Sequence, residues 1–185
     1  LEACFPAGSI DLVYSYFSVT ELTEYQPTED DLKARAQREF KLEEGTPEFD
    51  TKMEELMAWK VDYEKFRLYP EMPDWDVMCF YPMLKKRAGE DNWYSLDFET
   101  RKKLMKTHAT TGRKYAGRIS QLITGSTGLD DWEWGVTLMA KEVASIKDIV
   151  HEMRKDEVTA RYGDFGPFYI NLRLEPPALW AHLGL

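Results

Sequence analysis

Of the three histidines, only His108 sits inside a predicted helix with a face that could serve chemistry. Leu104 and Met105 lie one turn before it and Thr111 and Gly112 one turn after, so the imidazole stands between apolar and small side chains. Small residues on one side leave room for a flat ligand; the competing reading is a core histidine with its hydrogen bonds satisfied. His151 and His182 lack this context, and neither forms a metal-binding pair with His108 by spacing. In RISQLITGS, one strand face carries Ile119, Gln121 and Ile123, which places an amide among apolar side chains. A partner inside the fold or a ligand in a concave pocket would satisfy it. Tyr81, in WDVMCFYPM, shares its face with Val77, Cys79 and Met83, so its hydroxyl stands in mostly apolar surroundings, in a structural role or a reactive one. Gly117, Gly125 and Gly128 do not have dinucleotide-binding spacing, no nucleophile elbow or zinc helix occurs, and Asp130-Asp131 reads as a hairpin turn rather than an acid/base pair.

Those side chains need a scaffold, and 185 residues suit one domain with a sizeable core. Hydrophobic residues at 43% and charged residues at 31% describe a packed globular chain, with no run near the ~18 apolar residues of a membrane span. Cys4 and Cys79 are too few for a disulfide scaffold, which favours a reducing compartment and a cytoplasmic location. The opening LEACFPAGS is too short for a signal peptide and lacks its basic start, so the N-terminus is expected to be processed or truncated. The net charge of -9 argues against nucleic acid or anionic membrane as the main partner. Between Lys85 and Arg118, however, ten Lys/Arg face four Asp/Glu, a local +6 that leaves -15 for the rest. That basic zone is either a site for a small anionic ligand or a solvated helix face.

The first strand is expected at residues 10–23, IDLVYSYFSVTELT. A charged helical connector follows, with Thr28 capping EDDLKARAQREFKL, a break at Gly45-Thr46-Pro47 and a second helix over 48–66. A strand is expected at 75–83, which Pro82 pushes toward a sheet edge or strand end. Next come a helix at 97–115, a hairpin of strands 118–126 and 132–140, a helix at 141–154, a last strand at 165–174 and a Pro-containing tail. The organisation is thus a first-strand region at 1–26, an acidic connector at 27–69, a main domain at 70–175 and a tail at 176–185. From residue 75 the order strand-helix-strand-strand-helix-strand predicts an α+β, ferredoxin-like antiparallel sheet with helices on one face. Its other face needs a second such unit or a partner subunit, as in dimeric α/β barrels.

FYPMLKKR (80–87), DNWYSL (91–96), RKKLMKTHATTGRKYAG (101–117), QLITGSTGLDDWEWGVTLMA (121–140) and MRKDEVTARYGDFGPFYI (153–170) together resemble one family closely. They are similar to the coproheme decarboxylases, the haem-synthesis branch of the chlorite dismutase superfamily, over roughly residues 60–175 and more weakly over 10–25. The resemblance implies His108 as proximal iron ligand, Tyr81 as catalytic tyrosine and Gln121 as distal residue. It implies Arg67, Lys85 and Arg154 as anchors for porphyrin carboxylates, Met83 of the YPM motif in the pocket, and Thr159 where the family usually has Ser. It further implies peroxide-dependent conversion of iron coproporphyrin III (coproheme) to haem b through a tyrosyl radical; Trp93 and Trp134 read either as core packing or as alternative radical sinks. The assembly would be a homo-oligomer, a pentamer by family resemblance. A chlorite-splitting relative would need an arginine where Gln121 stands, and a haem-binding subunit without turnover is the other alternative. The chain departs from the family in lacking most of a first ferredoxin-like half: if it is naturally this short, another polypeptide must close the barrel, and if it is a fragment, nothing odd follows. Its connector is long and acidic, and Lys155 stands where an aromatic is common.

Overall fold

The computed structural model describes residues 11–184. Cys4, Ile10 and the N-terminal processing expected at LEACFPAGS lie outside the described residues. An antiparallel sheet is built from β1 (Val19–Thr20), β2 (Val77–Lys85), β3 (Ile119–Gly125), β4 (Trp134–Ala140), β5 (Gly163–Phe165) and β6 (Tyr169–Leu172). β2 is flanked by β4 on one side and by β5 and β6 on the other, and β3 and then β1 follow beyond β4. The helices are α1 (Glu29–Phe40), α2 (Pro47–Leu68), α3 (Phe98–Arg113), α4 (Val143–Met153), α5 (Glu157–Tyr162) and α6 (Pro176–Leu183). From β2 onward this is the expected ferredoxin-like order, with α4 packed on the sheet and α3 on α4 and α5. The core under the helices joins Val77, Cys79 and Tyr81 of β2 to Val136, Leu138 and Ala140 of β4 and to Ile146 and Ile149 of α4.

α1 begins as expected at Thr28, whose hydroxyl accepts from the Asp31 amide while the Asp31 carboxylate accepts from the Thr28 amide. Thr46 caps α2, with Pro47 at its first position, where a missing N–H costs nothing. The two helices form a hairpin around Leu32, Ala36, Phe49 and Leu56. Lys102 of α3 reaches Asp31 at 3.1 Å and ties that hairpin to the sheet's helical layer.

Four expectations are corrected. The first strand shrinks to Val19–Thr20, opposite Gly125 and Thr124. Before it the chain leaves the sheet edge, and its aromatics lie on the face opposite the helices: Tyr14 stacks on Tyr169 at 5.1 Å, and Tyr16 sits 5.4 Å from Phe80. Pro82 lies inside the central strand, not at an edge, opposite Gly135 of β4. Its carbonyl accepts from Gly166 at 2.9 Å. In an antiparallel strand a residue's N and O point to the same side, so the missing N–H faces the break between β5 and β6, where no ladder bond is lost. The last strand is split at that break because the backbone passes hard against Pro82; a Cβ on Gly166 would come within 2.7 Å of the proline ring. Finally, α5 was not anticipated, and the tail forms α6 with prolines at its start.

Candidate functional site

His108 lies on α3, whose N-terminus is capped by the Asp97 side chain. Its Nδ1 is 2.9 Å from Oδ2 of Asp156, a carboxylate only 7% exposed. Asp156 is also the N-cap of α5, accepting from the Thr159 amide at 3.0 Å and the Thr159 hydroxyl at 3.3 Å. Burial pushes the Asp156 carboxyl up, but hydrogen bonds from His108 and the Thr159 amide outweigh it and hold the group below the usual carboxylate range. An ionised carboxylate only accepts, so Nδ1 carries the hydrogen, and a neutral His108 presents its lone pair at Nε2, the form that a metal takes. Gly112 does not open space for a ligand. A Cβ there would sit 3.0 Å from the Met153 methyl, so its smallness serves the packing of α3 on α4.

Tyr81 is 8% exposed in β2, with Phe168 stacked on its ring at 4.4 Å and Phe165 tilted at 6.0 Å. The break at Gly166 turns Phe168 over the tyrosine. Arg154, just past α4, lays its guanidinium 5.0 Å over Phe165. Burial raises the Tyr81 phenol well above its ordinary value, with Cys79 adding to the rise and Arg154 opposing it. Met83 packs against the same core.

Lys85, at the end of β2, is 7% exposed, and its Nζ lies 5.0 Å over the Trp93 ring with no hydrogen bond or ion pair to the described residues. Burial pulls its ammonium down to about 8, against the pull of Asp156 and Glu133. The unfolded chain therefore holds more protons than the folded one between about 8 and the ordinary lysine value, and stability rises with pH across that window. A shift of that size is worth roughly 3 kcal/mol. Lys85→Met is expected to stabilise the ligand-free protein at pH 7 and to remove this rise. Urea midpoints for parent and variant at pH 7 and 10.5 check it, and equal differences at both pH values would refute it.

Arg67 of α2 reaches the carbonyls of Glu21 at 3.3 Å and Ile123 at 3.5 Å, and its buried Nε has no partner. Gln121 departs from expectation: it is exposed rather than buried, although Ile119 and Ile123 on either side of it pack partly against the core. Thr159 reaches the site through its bond to Asp156. Three residues escaped the sequence reading. Asp156 carries the one usable signal, an Asp-x-x-Thr cap before a short helix. Glu133 is buried against Lys85. Glu21 accepts the Trp134 indole N–H at 3.2 Å, over a Gly125 whose Cβ would collide with it.

Three features fit an iron porphyrin bearing carboxylates: a histidine whose Nε2, an ammonium and a buried guanidinium nitrogen each have no hydrogen-bond partner among the described residues.

A family model described as chlorite dismutase matches residues 2–174. The coproheme decarboxylase of Thermus thermophilus is 54% identical over 123 residues, which are 66% of this chain and 49% of that protein. Among solved structures, a heme-binding protein from Thermus thermophilus is 48% identical and superposes with a TM-score of 0.64, covering 78% of this chain and 52% of that one. A mutant chlorite dismutase from Candidatus Nitrospira defluvii, 20% identical, has a TM-score of 0.53 over 62% and 47% of the two chains, and supports the fold alone. The chain spans about half the length of the curated relatives that it matches. Since the matched stretch runs from residue 2 through the sheet, the His108–Asp156 pair and Tyr81, the chain belongs to the chlorite dismutase family.

Proposed function

We propose that this chain is the haem-binding part of a coproheme decarboxylase, which converts iron coproporphyrin III to haem b with hydrogen peroxide. The observation that carries the reading is the 54% identity to proteins of that name. The unpaired cations of the site support it, because coproheme brings four carboxylates and haem b two. His108 Nε2 would hold the iron, Asp156 would fix the ring, and Lys85, Arg67 and Arg154 would take carboxylates. Thr159, Met83 and Gln121 would line the pocket.

When bound, the iron porphyrin supplies the centre at which peroxide is reduced and hence the oxidising power. Tyr81 gives up an electron and its phenolic proton, then recovers a hydrogen atom from a propionate. Overall, one propionate, one peroxide and one proton yield a vinyl group, carbon dioxide and two waters; two rounds give haem b. The apolar walls around Tyr81, Phe165 and Phe168 keep water from the relay. The enzyme would act in the cytoplasm as a homo-oligomer, a pentamer by its resemblance. Among the described residues no helix is long and apolar enough to cross a membrane.

The test is stepwise addition of peroxide to the coproheme complex, followed by mass spectrometry of the extracted porphyrin. Successive loss of two carboxyl groups is expected. Tight binding with no change in porphyrin mass would make the protein a haem-binding subunit instead.

A further inference from the structure

We propose that Glu133 is a positioning residue, which fixes the Lys85 ammonium in the site and keeps it charged for an incoming carboxylate. This rests on the reading of Lys85 as an anchor. Glu133 is 4% exposed, in the turn just before β4. Its amide donates to the Met83 carbonyl at 3.1 Å, and its carbonyl accepts from Ser126 at 2.8 Å. The β2–β4 ladder ends at Met83–Trp134, and there the Glu133 side chain takes over: Oε2 accepts the Lys85 amide at 3.0 Å. Burial, and after it the same carboxylate, raises the Tyr94 phenol above its usual value. Tyr94 follows Trp93, whose ring underlies the Lys85 ammonium. One carboxylate thus ties down the lysine's backbone and acts on the turn that carries its aromatic support.

A neutral acceptor such as Asn or Ser would have closed the strand end without desolvating a charge, so the charge itself calls for an explanation. The groups around Lys85 are few. α5 brings Asp156, the β3–β4 turn brings Glu133, the turn at 93–95 brings Trp93, and Gly163 opposite on β5 brings no side chain. Asp156 is already engaged by His108 and Thr159. Among the described residues Glu133 has only the solvent-exposed Arg87 guanidinium, 3.8 Å away, as an ion-pair partner. Glu133 therefore adds its charge to that of Asp156 in offsetting the burial of Lys85.

Glu133→Gln keeps the volume and the acceptor oxygen and removes the charge; Glu133→Asp keeps the charge and shortens the reach. Lysine side-chain NMR of the ligand-free protein, with Lys85 assigned by its loss in Lys85→Met, reads the titration directly. In Glu133→Gln the Lys85 midpoint should fall by about one pH unit. The preference for coproheme over haem b should then fall about threefold near pH 7.5 and little at pH 6. Glu133→Asp should leave the midpoint in place and weaken the preference at every pH. If Glu133→Gln does not fold, Glu133→Asp alone decides, and an unchanged preference overturns the proposal. So does an unshifted Lys85 midpoint in Glu133→Gln, or an equal loss for both porphyrins at every pH. Failure of the anchor reading looks different: Lys85→Met itself would bind the two porphyrins in the parental ratio.

Discussion

Tyr81→Phe should bind coproheme with near-parental affinity, still consume peroxide, and release no carbon dioxide. The bond to be broken is an aliphatic C–H of a propionate, beyond the reach of any protein acid or base, so a radical must be generated beside it. Burial holds the Tyr81 phenol protonated throughout the working pH range, so its oxidation must move a proton as well as an electron. Phe keeps the stack on Phe168 and the tilt against Phe165. The hydroxyl makes no hydrogen bond to the described residues, so its loss strands no partner and stability should change little. The rate of carbon dioxide release should fall at least ~10³-fold, or about 4 kcal/mol in the barrier. The checks are headspace carbon dioxide and the tyrosyl signal in electron paramagnetic resonance after peroxide mixing. Parental turnover in Tyr81→Phe would make the tyrosine structural and sink the mechanism.

The sequence made the ferredoxin-like order legible because the strands and longer helices from residue 75 carry their own period and punctuation, such as the helix that starts after Asp97 and the turn that joins β3 to β4. It could not reveal where Pro82 sits, because tolerance of a proline depends on which neighbour its nitrogen faces, and that neighbour, Gly166, lies 84 residues away. The same long-range contact splits the last strand. Gln121 misled for a related reason: its apolar flanks mark a strand face, but whether the core reaches each residue of that face is a tertiary fact. The catalytic candidates were placed mainly by resemblance. Geometry adds what spacing could not, since 48 residues separate His108 from Asp156 and 48 separate Lys85 from Glu133. The Asp-x-x-Thr cap at Asp156 was visible, but a cap alone does not say that its carboxylate has a second ligand.

That double duty of Asp156 sets up the other large effect, in which removal of His108 and removal of its partner should part company. His108→Ala leaves the pocket without an axial nitrogen, so the Soret band should shift and histidine signals should vanish from the resonance Raman spectrum of the coproheme complex. Added imidazole should restore them in part. Asp156→Asn keeps one acceptor oxygen where the carboxylate uses two, Oδ2 for Nδ1–H and Oδ1 for the Thr159 amide, and it removes the charge that makes the imidazole a stronger donor. Coordination should survive, with a lower iron–histidine stretching frequency and iron-porphyrin affinity or turnover reduced about 10–100-fold. Asp156→Ala loses the α5 cap too, at a cost of about 1 kcal/mol in folding stability. The pH dependence has a fixed sign. Protons compete with iron for Nε2, so binding weakens as pH falls. The Asp156 carboxyl, held below its unfolded value, contributes stability above that value and loses it as pH drops through the folded one. A parental spectrum in His108→Ala would remove the ligand assignment, and a parental stretching frequency in Asp156→Asn would reduce the 2.9 Å contact to a helix cap with no bearing on the iron.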